Sequence, residues 1–259
     1  MTDAKAVQAA LEAGLDRAFW RQIVVEEQLS STNDRLTEFA ERGAPQGTLV
    51  IALSQTAGRG RRGRRWASPP GGAWFSLLLK PLYDPAKLGS IVITLAVAVA
   101  TALRVWLALP VRVKWPNDLI LYGRKLGGIL VEVRTKAGAS QGEWLIAGIG
   151  VNVNNRSPAG DEAISLREGC GEEVDLKSFF THVLAGIEAE YHRFLENGFG
   201  SIVERWKMLS VTWGRRVSVE RAGRRFVAEV LGLSANGALI VKTEDGIERL
   251  VSGEVSLIV

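Results

Sequence analysis

Five arginines and three glycines are packed into Gln55-Thr56-Ala57-Gly58-Arg59-Gly60-Arg61-Arg62-Gly63-Arg64-Arg65-Trp66, directly after the apolar stretch Thr48 to Leu53. Such a segment is suited to holding phosphate. Glycine lets successive backbone N–H groups turn toward an anion, and arginine adds permanent charge with forked donors that match phosphate oxygens. Gly58, Gly60 and Gly63 have the spacing of a dinucleotide fingerprint, but that fingerprint opens a helix, whereas Ala67-Ser68-Pro69-Pro70-Gly71-Gly72 follows here. The P-loop reading fails as well, because Arg64-Arg65 stands where Lys and Ser/Thr would hold phosphate and Mg²⁺. Two readings stay open: a phosphate loop of another kind, or a solvated Arg-Gly tract of the sort that binds nucleic acid.

Further along, the β-branched Val111-Arg112-Val113 delivers Lys114-Trp115-Pro116-Asn117-Asp118 and is followed by Leu119-Ile120-Leu121. A strand stops, turns sharply and resumes. Pro116 restricts its own φ and pushes Trp115 toward an extended conformation, so the turn aims Lys114, Asn117 and Asp118 in defined directions. Pro-Asn-Asp is also ordinary turn chemistry, and Trp115 is equally suited to a core. Next comes Gly123-Arg124-Lys125-Leu126-Gly127-Gly128-Ile129-Leu130-Val131-Glu132, a cation leading into a strand whose paired glycines admit close approach to the backbone. Three polar turns around glycine, each at the end of an apolar strand, read together as one composite nucleotide site.

The set as a whole resembles the biotin protein ligases. Ser31-Thr32-Asn33, Gln55, the Gly58 to Arg64 loop with Trp66, Lys114 to Asp118, Gly123 to Leu130 and Gly148-Ile149-Gly150-Val151-Asn152-Val153 stand in that family's order. The resemblance is strong over about residues 28 to 155 and looser over the last forty-five or so. It implies a class II synthetase-like biotin/lipoate ligase catalytic domain over 1–213 and a small SH3-like β-barrel over 214–259. It implies ATP-dependent attachment of biotin to a lysine of a biotin carboxyl carrier protein through biotinyl-5′-AMP, with Mg²⁺. Arg61, Lys125 and Asp118 would be catalytic: Lys125 bridges the biotin carboxylate and α-phosphate, Arg61 clamps the intermediate, and Asp118 takes the acceptor's proton or braces the turn. Biotin would meet Ser31, Thr32, Asn33, Gln55, Arg59, Gly60, Arg61, Lys125, Gly127 and Gly128. ATP and the adenylate would meet Gly58, Arg59, Arg61, Arg64, Trp66, Lys114, Asn117, Lys125 and Asn152; no metal ligand is assigned. Lipoate attachment is the alternative within the same superfamily, but lipoate lacks the ureido ring that Ser31, Thr32, Asn33 and Gln55 suit. One departure stands out: the family's final strand often ends Gly-Glu-Val-Ser-Leu-Arg, whereas Gly253 to Leu257 is followed here by Ile258, leaving Arg249 as a substitute cation.

Composition agrees with an enzyme having a substantial core. The chain has 259 residues and 47% hydrophobic content, enough for one large and one small domain. Cys170 is the single cysteine, which excludes an internal disulfide and Cys-based metal clusters, and two histidines make zinc chemistry a poor fit. Ile91 to Leu103 is the most apolar stretch; it falls short of the ~20 residues of a bilayer span and reads as a buried helix. No export signal is visible at the N-terminus, so the expected compartment is the cytoplasm, with no membrane partner. The C-terminal segment is nearly balanced, seven basic residues against six acidic, and the thirty residues before Ser31 leave no room for a DNA-binding helix-turn-helix. The expectation is the short kind of ligase without DNA partner; a homodimer stays open.

The elements that must position these residues read as α+β. Helices are expected at Ala4 to Ala18, Thr32 to Arg42 and 86 to 107, with an amphipathic helix carrying Phe179, Phe180, Val183, Leu184, Ile187, Tyr191 and Phe194. Strands are expected at Ile23 to Glu27, 48 to 54, 73 to 79, near 111 and 119, at 126 to 134 and 143 to 153. Successive strands without intervening helices imply a mixed, largely antiparallel sheet with helices packed on one face. Beyond Trp213 come short strands at 216 to 220, 225 to 232, 238 to 242 and 247 to 251, punctuated by Asn236-Gly237 and Asp245-Gly246 turns.

Overall fold

The computed structural model describes residues 3–79, 88–134, 144–156, 160–221 and 223–258. Seven strands, β1 (Gln22–Leu29), β2 (Thr48–Gln55), β3 (Ala73–Leu79), β4 (Arg112–Lys114), β5 (Asp118–Leu121), β6 (Arg124–Arg134) and β7 (Trp144–Val151), form one sheet in the order β1-β2-β3-β7-β6-β5-β4. Among the described residues of this sheet only β1 and β2 run parallel; the other pairings are antiparallel. The expected mixed, largely antiparallel sheet is therefore present.

Both faces of its centre are apolar, because β2 and β3 are nearly unbroken hydrophobic runs. Leu49, Ile51, Phe75 and Leu77 point to the face that carries α1 (Ala4–Gly14), α3 (Leu88–Leu107), the short α4 (Leu166–Cys170), α5 (Leu176–Asn197) and α6 (Phe199–Leu209). Val50, Leu78 and Ile146 point the other way, where Leu36 and Ala40 of α2 (Thr32–Glu41) cover them. The helices thus do not all share one face: α2 lies opposite the rest, at the end of the sheet where the site forms. α3 is long and apolar enough to cross a membrane by length and composition, yet most of that stretch is buried inside the protein. Its face residues Ile91, Leu95, Val99 and Leu103 lie in the same core as Phe179, Phe180 and Val183 of α5, so it is a core helix, as its sequence implies.

Most observed bounds lie within about two residues of the expected ones, and two departures are larger. α1 ends at Gly14 rather than Ala18, because Asp16 turns the chain: its carboxylate accepts from the Ala18 amide at 2.8 Å and its carbonyl from the Trp20 amide. Beyond α5 the chain breaks at Gly198, whose φ of 70° favours glycine, and α6 follows as an additional helix burying Phe199, Ile202, Trp206 and Leu209. The expected start of α3 at 86 and of β7 at 143 falls outside the described residues.

The C-terminal strands β8 (Arg216–Arg221), β9 (Arg224–Leu233), β10 (Leu239–Thr243), β11 (Gly246–Leu250) and β12 (Glu254–Leu257) form a second, antiparallel sheet ordered β11-β10-β9-β8-β12. It shares one apolar core with the large sheet. The joint runs through the turn between β4 and β5: Trp115 is buried, and its indole N–H donates to the Gly237 carbonyl of the β9–β10 turn at 3.0 Å. Val211 N donates to Val113 O beside it. Replacing Trp115 with Phe keeps most of the apolar contact but leaves the Gly237 carbonyl buried without this donor, so chemical denaturation should show a loss of about 1–3 kcal/mol. An unchanged unfolding midpoint would mean that the two sheets are held together elsewhere.

Candidate active site

A cleft of about 540 Å³ opens where the N-terminus of α2, the arginine loop, the β4–β5 turn and β12 converge over the glycine-rich ends of β6 and β7. The arginine loop is a tight hairpin rather than an extended tract. Trp66 N donates to Gly58 O at 2.9 Å and Gly60 N to Arg64 O at 2.7 Å, and a 3₁₀ turn over Arg61–Gly63 closes the tip with Arg62 and Gly63 both at positive φ. A Cβ at Gly58 would sit 2.6 Å from both Ser68 Oγ and Trp66 O, so this glycine is required for packing the loop's root; it does not line the cleft.

The loop's cations are held individually. Arg59 forms a fork with Asp34, both N···O distances 2.6 Å, and lies 3.5 Å from Glu132. Its guanidinium holds the Asp34 carboxyl below the usual carboxylate range, chiefly through the hydrogen bonds. Arg64 pairs with Glu254 of β12 at 2.7 Å, and Arg62 approaches the same carboxylate at 3.6 Å. Arg61 differs: it is half-buried, donates to Asn117 Oδ1 at 3.2 Å and has no carboxylate within ion-pair distance among the described residues. Burial first, then repulsion from Arg62 and Arg64, lowers its pKa. An anion entering beside Arg61 would relieve that cost.

The β4–β5 turn, with a cis Trp115–Pro116 bond, places Asn117 between loop and sheet. Asn117 Nδ2 donates to Ile129 O at 2.8 Å while its Oδ1 receives Arg61. Asp118 Oδ1 lies 2.7 Å from Lys125 Nζ, and that ammonium stands 5.3 Å from the centroid of a Trp66 ring. Lys114, opposite Asp118 in the strand register, also lines the cleft. Gly128 faces these groups, with Asp118 and Lys125 just beyond the position of a Cβ, whereas Gly127 packs against the Gly150 carbonyl and Leu119 instead of lining the cleft. A Cβ at Gly150 would approach Trp66 Nε1 to 2.8 Å, so the indole lies directly on bare β7 backbone.

At the other end the cleft is lined by the neutral polar groups Ser31, Thr32, Asn33 and Gln55. Ser31, Thr32 and Asn33 are buried at the start of α2. Ser31 Oγ caps the helix by accepting from Asp34 N. The Thr32 amide donates to Gln55 Oε1 at 2.8 Å, and Gln55 Nε2 donates to Ser68 Oγ at 2.9 Å. Ser76 Oγ lies 2.7 Å from Thr32 Oγ1 and 2.6 Å from Asn33 Oδ1, and Asn33 Nδ2 donates to Glu132 at 2.7 Å. A Cβ at Gly148 would collide with the Asn33 amide, which fits only because β7 is bare there. Asn152, expected beside the nucleotide, lines the cleft while its Nδ2 donates to Ile164 O and its Oδ1 receives Asn155.

All the expected site residues except Gly58 and Gly127 therefore line one cleft. The sequence reading missed Asp34, Ser76, Glu132 and Glu254, the groups that hold the others. Asp34 stands directly after Ser31-Thr32-Asn33, Glu132 in the Lys125 strand and Glu254 in Gly253 to Leu257, but nothing in those motifs says which cation each would hold, and Ser76 carries no signal at all. Arg249 lies on β11, at the far edge of the small sheet from β12, and does not line the cleft, so it is no substitute for the cation that Ile258 replaces. Among the described residues no group of three or more His, Cys, Asp or Glu side chains could hold a metal ion.

Comparison with known proteins agrees with this geometry. Residues 25–154 match the biotin/lipoate A/B protein ligase family, and residues 212–258 match the biotin protein ligase C terminal domain. The chain is 32% identical over 243 residues to the bifunctional ligase/repressor BirA of Bacillus subtilis, covering 92% of this chain and 74% of that protein. It is 32% identical over 236 residues to a biotin–[acetyl-CoA-carboxylase] ligase of Paracoccus denitrificans, covering 87% and 96%. Its structure is similar to the Aquifex aeolicus biotin protein ligase in complex with biotin and ATP, with a TM-score of 0.80, 32% identity and coverage of 92% and 99%. With its two matched segments spanning the large sheet's cleft and the small sheet that borders it, the chain belongs to the biotin/lipoate A/B protein ligase family.

Proposed function

We propose that this protein attaches biotin to a lysine of a biotin carboxyl carrier protein, with ATP as the second substrate and biotinyl-5′-AMP as the intermediate. The observation that carries this reading is the juxtaposition, in one cleft, of a polar end built from Thr32, Asn33 and Gln55 with a cationic centre built from Arg61 and Lys125. The first suits a ureido ring and the second suits a carboxylate meeting a phosphate. Residues 1–213 act as the adenylating unit, and residues 214–259 close its nucleotide end through Gly253 to Ser256.

A biotin carboxylate oxygen attacks the α-phosphorus of ATP, the bond to the β-phosphate oxygen breaks, and pyrophosphate leaves. Two anions must approach, so fixed positive charge is needed where they meet. Lys125, held by Asp118 and aimed across the Trp66 ring, supplies a compact charge there; Arg61 offers a fork that no carboxylate has already taken. Mg²⁺ travels with the triphosphate and neutralises part of its charge. In the second step the carrier amine attacks the acyl carbon and AMP leaves. A lysine with pKa ~10.4 is mostly protonated near neutral pH, a handicap of roughly 4 kcal/mol. Asp118, at the cleft wall, is the candidate base for that proton. Trp66, lying on Gly150, excludes water from the anhydride.

Incubation with biotin, ATP, Mg²⁺ and a carrier domain should add one biotinyl group, read by intact mass; a gain with lipoate instead would overturn the assignment. Lys125→Ala should reduce pyrophosphate release at least about a hundredfold while biotin binding, measured by calorimetry, changes little, and added biotinyl-5′-AMP should restore transfer. Near-normal release would move the catalytic charge to Lys114. Arg61→Gly should let the anhydride escape and label lysines indiscriminately; retention in rapid gel filtration equal to the parent's would remove Arg61 as the clamp. Gly148→Ala should weaken biotin binding more than tenfold, about 1.4 kcal/mol, by displacing Asn33, while ATP binding is spared. Equal weakening of both ligands would show that Asn33 does not mark the biotin end.

A further inference from the structure

Arg59 differs from the other cations of the cleft in how completely it is engaged. Both its terminal nitrogens lie 2.6 Å from the two oxygens of Asp34, the planar fork-to-fork arrangement that uses a guanidinium's directionality fully. Glu132 stands 3.5 Å away on the same side. Neither acid is an incidental neighbour. Asp34 lies in the first turn of α2, where the helix dipole favours a negative charge. Glu132 receives the Asn33 amide at 2.7 Å and faces Arg134 at 3.4 Å. Asn33 in turn lies against Gly148 and Ser76. A continuous chain of polar contacts thus runs from the floor of the sheet, through Asn33 and Glu132, to Arg59 at the root of the arginine loop.

We propose that Asp34 and Glu132 form a latch for Arg59, which makes Arg59 a positioning residue that fixes the arginine loop over the cleft instead of a phosphate ligand. This rests on the ligase reading above. Arg59 and Arg65 pair across the base of the hairpin, so holding Arg59 holds both legs of the loop and sets where Arg61 at its tip points. The phosphate-facing role then belongs to Arg61, whose guanidinium has no acid within ion-pair distance among the described residues. Because Glu132 touches both Asn33 and Arg59, occupancy of the polar end and closure of the loop share one carboxylate. A ligand that tightens Asn33 also fixes the post on which the loop is latched.

A double-mutant cycle on the full-length protein separates the latch from a phosphate contact. Arg59→Gln, Asp34→Asn and the double variant are compared for escape of biotinyl-5′-AMP in rapid gel filtration and for the KM of ATP in pyrophosphate release. If the two residues act only through each other, each single substitution speeds escape to the same degree, on the order of tenfold, and the double variant is no worse than either. The KM for ATP stays within about twofold throughout. Thermal unfolding of each variant accompanies the assay, and escape that simply tracks a lowered Tm in all three variants would overturn the latch. So would multiplicative effects in the double variant, or an ATP KM raised by Arg59→Gln and not by Asp34→Asn. A parent protein that makes no adenylate would defeat the ligase reading and the latch with it; a parent that makes adenylate while the cycle is additive defeats the latch alone.

Discussion

The structure turns on gathering positive charge in one place without letting it collapse or repel itself apart. Arg59, Arg61, Arg64, Arg65, Lys114 and Lys125 line one cleft, and like charges so close destabilise a fold unless they are placed against opposite charges or dipoles. Asp34 and Glu132 hold Arg59, Glu254 holds Arg62 and Arg64, and Asp118 holds Lys125. These carboxylates come from α2, β6, β12 and the start of β5, so the charge cluster is braced from four elements. Arg61 is held differently, satisfied by the neutral Asn117 amide and depressed in pKa by burial. The site thus keeps a half-buried forked cation with no acid within ion-pair distance among the described residues, where a ligand's negative charge gains the most.

A second constraint is steric. The side chains that form the site lie flat on the sheet instead of standing beside it, and that needs strand backbone without Cβ atoms. Gly148 makes room for Asn33 and Gly150 for Trp66. Neighbouring positions of β7 that point to the other face, Leu145, Ala147 and Ile149, bury apolar side chains in the main core. One strand therefore serves packing and ligand chemistry through its alternating faces. The same division explains Gly128, which opens toward Lys125, and Gly127, which packs against its neighbouring strand.

The small C-terminal sheet is part of this arrangement rather than an appendage. Trp115 sits in the turn that carries Asn117 and Asp118, yet its indole is buried against the C-terminal sheet and hydrogen-bonded to Gly237. Glu254 reaches back to the arginine loop. The turn is thus loaded on one side by groups that line the cleft and on the other by the joint between sheets, so displacement of the small sheet would be felt at Asn117 and, through it, at Arg61.

Much of this was legible in the chain alone. The periodicity of α5, the apolar runs of β2 and β3, and the Asn-Gly and Asp-Gly turns follow from local patterning, and the glycine-arginine loop and Lys114 to Asp118 declare their chemistry by residue type and spacing. The C-terminal end of α1 and the presence of α6 were not read from the pattern. Asp16 stops α1 through its own backbone bonds, and the glycines around Phe199 and Gly200 mask a buried stripe. Nor could local pattern place α2 on the opposite face of the sheet, because Val50 and Leu78 sit within continuous apolar runs that name no side. Above all, the sequence by itself determined which cations would gather and what they would attract. Only the tertiary structure decided which acid holds which cation, because Asp34, Glu132 and Glu254, though they stand in or beside recognisable motifs, lie far along the chain from the loop they hold, and ion pairing depends on distance in space, not along the chain.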